Sequence, residues 1–265
     1  MDEKKKKTTL QKELLKIEKQ ETKMRQTALK AKPFGWKSEL EKKIPDKVYK
    51  GLESAFCKAF AVVFKQGRAL IEKGVDQEGI RADHMIQEYA IQVKGGKREI
   101  KQMRKSAGQS SLLNMAVTTV EGMGLGLLGV GLPDIVLFIG TVLKGIYETA
   151  LHYGFEYDTK EEQYYILKLM AASLSHGEEW VRWNQEADVW NDCETAQVIT
   201  EEILKEQIRE TAAVFAMDML VLKFIQGLPV VGVVGGAANP VYYRKVMKYV
   251  QMKYQKRYLQ KMLNM

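Results

Sequence analysis

The chain has 265 residues, of which 46% are apolar and 28% charged, and only five are proline. That length buries a full core without disulfide or metal staples, and the composition excludes a disordered or low-complexity protein. The formal net charge of +8 excludes little until its placement along the chain is read.

Residues 3–31 read as an amphipathic helix with a thin apolar stripe of Leu10, Leu14, Ile17, Met24 and Ala28 among Lys, Glu and Gln. So thin a stripe predicts docking on the body of the protein or on a partner. Lys32-Pro33-Phe34-Gly35-Trp36 stops the helix, which sets residues 1–36 apart as a basic N-terminal extension and residues 37–265 as a helical domain. A second helix is predicted from Ile44-Pro45-Asp46 to Gly74, with Phe56, Ala59, Phe60 and Val63 on its apolar face. Residues 75–80 read as a connector and residues 83–93 as a helix broken by Gly95-Gly96. The basic run 94–105 follows, with Ser106, Ser110 and Ser111 beside it as a loop or helix start.

Residues 112–120 look helical and lead into Glu121-Gly122-Met123-Gly124-Leu125-Gly126-Leu127-Leu128-Gly129. Leu132-Pro133-Asp134 then opens a long apolar helix over 135–153, with Gly154 where a left-handed cap residue belongs. Thr141, Lys144, Glu148 and His152 form its one polar stripe, so the helix must be buried in protein or in lipid. Pro133 and Asp134 cut the apolar stretch into two short halves, which argues against a full membrane span and leaves a shallow hairpin open.

Thr159 and Glu162 form a capping box for a helix reaching about residue 175. Residues 176–194 are polar and acidic and hold Trp180, Trp183 and Trp190. A long helix is predicted from about residue 195 to Gly227-Leu228-Pro229, then a second glycine-rich segment over 230–238. Asn239-Pro240 supplies an N-cap and first turn for a final basic, tyrosine-rich helix over 241–263. Gly122 and Gly126, like Gly232 and Gly236, are spaced to let helix backbones approach closely, either inside the protein or in a membrane hairpin.

No cofactor or metal is expected. The glycines lack the strand or the Gly-Lys-Ser/Thr of a phosphate loop, and His84, His152 and His176 stand on three different elements. Cys57 and Cys193 are read as reduced thiols, and the N-terminus has no apolar signal segment, so cytoplasmic residence is expected. Glu121 and Asp134 are acidic residues in apolar surroundings. They are the weak candidates for an acid/base pair, against a capping role for Asp134 and a buried partner such as Lys144 for Glu121.

The charge is polarised. Residues 1–50 carry 16 basic and 8 acidic side chains, residues 94–105 carry 6 and 1, residues 241–265 carry 7 and 0, and residues 156–210 carry 5 and 14. Such a molecule docks something anionic on one side or pairs its own ends with its own middle. On the last helix Arg244, Lys245, Lys248, Lys256 and Arg257 alternate with tyrosines and methionines, a pattern suited to an anionic membrane surface or a membrane partner. A tyrosine face packed on the body, with lysines meeting solvent or the acidic middle, is the other reading. Nucleic acid is not an expected partner, because no recognition motif accompanies the charges.

Glu121-Gly122, Gly129, Leu132-Pro133-Asp134 and Tyr153-Gly154-Phe155 together resemble the central block of the EcsC family. Ile44-Pro45-Asp46-Lys47-Val48 and the run Gly232-Val233-Val234-Gly235-Gly236-Ala237-Ala238-Asn239 are similar to the family's outer motifs, over about residues 40–260. The resemblance implies a context of membrane and ABC transport without an activity, and adds Asn239 to Glu121 and Asp134 as site positions. The expectation is a single all-α domain with central glycine-rich hairpins and an amphipathic N-terminal helix. Its expected role is a non-catalytic accessory protein, cytoplasmic or peripheral on the inner face of the cell membrane. The rivals are a hydrolase acting on an apolar or lipid substrate through Glu121 and Asp134, and a soluble protein-interaction module.

Overall fold

The computed structural model describes residues 3–30, 44–67, 75–117, 132–192, 198–225 and 238–265. Among the described residues the chain forms nine α-helices and no strand. They are α1 (Glu3–Lys30), α2 (Asp46–Val62, continued by a π turn over Val63–Gly67), α3 (Gln77–Lys94), α4 (Lys97–Val117), α5 (Leu132–His152), α6 (Lys160–Leu174), α7 (Gly177–Asp192), α8 (Glu201–Ile225) and α9 (Ala238–Asn264). The protein is a single all-α domain. Cys57 is a free, half-buried thiol. The glycine segments holding Gly122, Gly126, Gly129, Gly232 and Gly236 lie outside the described residues, as do Glu121 and Cys193.

Local chemistry explains most boundaries. The Asp76 carboxylate accepts from Gly79 N at 2.9 Å, which starts α3 at Gln77 and shortens the expected connector. Gly95, at φ 54°, stops it. Lys94 ends α3, and the rest of the basic run is the first half of α4, whose Ile100, Met103 and Ala107 are buried while its cations face out, so Ser106, Ser110 and Ser111 lie inside a helix rather than at a loop or helix start. Thr159 Oγ1 accepts from Glu162 N at 3.1 Å and opens α6. Thr200 does the same for Ile203 N at 3.3 Å, so α8 begins at Glu201, later than the pattern suggested.

The acidic, tryptophan-bearing stretch is also helical. In α7, Trp180, Trp183 and Ala187 are buried against α6 and α1, and Lys168 of α6 lies 5.2 Å from the Trp183 ring while pairing with Glu186 at 2.6 Å. Its acidity hid an apolar stripe at helical spacing.

α5 is long and apolar enough to cross a membrane over Ile135–His152, but 78% of that stretch is buried inside the protein. It packs against α2, α3, α4 and α9, so its apolar circumference has a protein explanation. Its polar stripe descends from half-buried Thr141 and Lys144 to fully buried Glu148 and His152. The helix ends in a Schellman pair, Phe155 N to Ala150 O at 2.9 Å and Gly154 N to Leu151 O at 3.0 Å, with Gly154 at φ +73°. A Cβ there would also stand 2.2 Å from His84 Nε2, so residue 154 is held to glycine both by its dihedral and by its neighbour.

Burial pulls the His152 imidazole down from 6.5 to about 4, with Asp83 opposing and His84 adding to the effect. Between those values the unfolded chain takes up a proton that the folded chain refuses, so stability falls as pH drops through that window. The expected loss from pH 7 to pH 5 is about 2 kcal/mol. Urea midpoints at the two pH values should show this slope in the parent chain and lack it in His152→Gln. An equal slope in both would show that His152 is not its source.

Candidate functional site

The last helix organises the molecule. α9 contacts α1, α4, α5 and α6, and its tyrosines Tyr242, Tyr243, Tyr249, Tyr254 and Tyr258 are all buried. Surrounded in this way, a helix bearing seven cations must neutralise those that cannot reach water.

It does so in two buried networks. Lys253 is fully buried, and its Nζ donates to Glu21 Oε1 at 2.5 Å, Asp188 Oδ1 at 2.8 Å and Asn184 Oδ1 at 3.0 Å. Lys256 Nζ, one turn on, donates to Glu21 Oε2 at 2.6 Å and Asp188 Oδ1 at 2.8 Å. Tyr249 donates its hydroxyl to Asn184 Oδ1 at 2.7 Å. The network thus joins α1, α7 and α9. Burial pushes the Glu21 carboxyl up, but Lys253 and Lys256 outweigh it and hold the group below its ordinary 4.5. In the second network Arg257 Nη1 donates to Glu162 at 2.7 and 2.8 Å, Tyr254 donates to the same carboxylate at 2.5 Å, and the guanidinium lies 4.1 Å from the Phe155 ring. The Glu162 side chain therefore serves α9 as well as standing at the third position of the α6 cap.

Two of the five expected contact residues, Lys256 and Arg257, are thus turned into the protein, because Glu21, Asp188 and Glu162 supply the counter-charge there. Lys245 is half-exposed, 3.6 Å from Asp218, which also lies 3.1 Å from His176. Arg244 and Lys248 are exposed, and no carboxylate among the described residues pairs with either. The inward partners were missed because Glu21 and Asp188 sit in unrelated parts of the chain. The one available signal was the acidic excess of residues 156–210.

Arg244 and Lys248 project from one stripe of α9 onto a groove of about 520 Å³. α4 contributes Arg104, Lys105 and Gly108 to it, and α1 contributes Glu13, Lys16 and Gln20. Ile17, Tyr243, Met247 and Met252, all nearly buried, form its floor. Five exposed cations therefore meet one carboxylate, Glu13, which is already paired with Lys16. A smaller cavity of about 220 Å³ lies over the first network, between Glu21 and Arg25 of α1 and Trp180, Asn184 and Asp188 of α7. Its carboxylates are committed to Lys253 and Lys256, so the larger groove is the place where charge remains uncompensated.

Asp134 falls within the first turn of α5, which starts at Leu132 and includes Pro133. Glu121, the other member of the expected carboxylate pair, lies outside the described residues. Asn239 lies inside α9, which begins at Ala238 rather than at residue 241. Among the described residues no group of three or more His, Cys, Asp or Glu side chains could hold a metal ion.

Fold and site define a helical protein built around a buried polar C-terminal helix, with a cation-rimmed groove on one side. Residues 9–259 match the EcsC protein family, and the chain belongs to that family. No curated protein and no solved structure matches the chain.

Proposed function

We propose that this EcsC-family chain is a non-catalytic accessory protein that docks peripherally on an anionic membrane surface, with the groove between α1, α4 and α9 facing the lipid. The supporting observation is that Lys16, Arg104, Lys105, Arg244 and Lys248 come from three helices to one exposed face with little opposing charge. Tyr243, Met247 and Met252 of α9 underlie that face, and each basic side chain near such a surface contributes about 1 kcal/mol. The same geometry fits the inner, anionic face of a cell membrane and the membrane-transport setting that the family suggests.

Co-sedimentation with vesicles tests this reading. Vesicles rich in phosphatidylglycerol should pellet the protein at low salt and release it as salt rises, and neutral vesicles should not pellet it. Reversing two groove cations, Arg244→Glu with Lys248→Glu, should weaken partitioning at least about 30-fold, since two contributions of about 1 kcal/mol are lost. Lys205→Glu, an exposed change on α8, should leave it unaltered. Equal pelleting by both vesicle types, or by neither, refutes the surface reading.

A further inference from the structure

The groove holds more than a charge patch requires. A flat electrostatic contact needs only cations at a surface, whereas here they rim a cleft of about 520 Å³, within the ~300–1,000 Å³ typical of small-molecule sites. The floor combines Ile17, Met247 and Met252 with the edge of Tyr243, and methionines adapt to flexible apolar chains.

A second, independent observation lies in α4. Gly108 sits inside that helix at the groove wall, where glycine weakens a helix relative to alanine. Neither usual reason for a glycine operates, since its φ is not positive and a Cβ built there meets nothing within 4 Å among the described residues. Gly154, by contrast, is required on both counts. Gly108 lines the groove together with Arg104, Lys105, Arg244 and Lys248, and its missing side chain leaves that part of the wall open.

We propose that this groove is a binding site for one anionic phospholipid. Its phosphate is held by Arg104, Lys105, Arg244 and Lys248, and the first carbons of its acyl chains lie on Ile17, Met247 and Met252. Charge complementarity selects an anion, and the aliphatic and thioether floor selects an amphiphile over a free phosphate. Among the described residues no exposed aromatic face lines the groove to stack a base, which separates the site from one built for single-stranded nucleic acid. The proposal rests on the membrane-docking reading and narrows it from a surface to a single headgroup.

The test uses the full chain and lipids that stay monomeric in water, followed by isothermal titration calorimetry and native mass spectrometry. Dihexanoylphosphatidylglycerol should bind with one-to-one stoichiometry. Dihexanoylphosphatidylcholine and glycerol 3-phosphate should each bind at least tenfold more weakly. Arg104→Glu with Lys248→Glu should abolish the binding. Gly108→Leu fills the wall without touching a charge and should weaken binding at least tenfold, with a melting temperature no lower than the parent's because leucine favours a helix over glycine. Equal binding of the choline lipid, glycerol 3-phosphate binding as tightly as the lipid, or undiminished binding by both variants overturns the proposal.

Vesicle pelleting separates the two readings. Protein that pellets with anionic vesicles but binds no monomeric lipid retains the surface role and loses the lipid site. Protein that binds the monomer but no vesicle retains the site and loses the surface role.

Discussion

Replacing Lys253 with methionine should destabilise the protein by about 3 kcal/mol, because it leaves buried Glu21 and half-buried Asp188 with one ammonium between them. For a chain of this size that corresponds to a melting temperature roughly 6–12 °C lower. The double variant Glu21→Leu with Lys253→Met should recover part of the loss, since removing both members of a buried pair costs less than stranding one. A loss below about 0.5 kcal/mol, the range of ordinary surface changes, would mean that Lys253 is not buried among those carboxylates. Lys248→Met, five residues earlier on the same helix but exposed, should stay within that surface range.

The pH behaviour of this network follows from its members. Glu21 is held below its ordinary value, so its contribution is complete above about 4.5 and is lost as pH falls through the lower folded value. Burial pulls the Lys256 ammonium down, but Asp188 and Glu21 together raise it above 10.5, so its share is complete below 10.5 and is lost at higher pH. The tie between α1, α7 and α9 is therefore intact across the neutral range. The destabilising change of mildly acidic pH belongs to His152 instead.

Phe215→Ala should cost about 3–5 kcal/mol, and by a different mechanism. Phe215 of α8 is fully buried, with its ring centroid 5.5 Å from Phe56, 5.8 Å from Phe60 and 6.3 Å from Phe138. Truncation opens a cavity where α8 meets α2 and α5, and rigid neighbouring rings cannot collapse into it. The urea midpoint should fall with no change in pH dependence, because no ionisable group joins the cluster. A loss under about 1 kcal/mol would mean that the site closes over the cavity and that these rings are not the hinge of the α2–α8 contact.

Only part of the fold was legible in the residues. The apolar period of α5, the Pro45 start of α2, the left-handed Gly154 and the Thr159 cap depend on neighbours within one helical turn, and all were readable. α7 was not, because its tryptophans sit among acidic residues that read as a polar stretch. The early start of α3 was missed because a single Asp76 side chain, not hydrophobic spacing, sets it. Of the groove, Arg244 and Lys248 stood out as cations on a tyrosine-rich helix, but the contributions of Lys16, Arg104 and Lys105 could not be assembled from three separated segments.

Much of the local order along the chain, α7 and some helix starts apart, was written in spacings of three or four residues and in a few caps. Which way α9 turns its cations was not. Lys248 meets water and Lys253 is fully buried, yet they are five residues apart on one polar helix. The difference is made by Glu21, 232 residues away in sequence from Lys253, and by Asp188 on a third helix. An ammonium can leave water only where carboxylates already wait for it, and that meeting exists once the helices have packed.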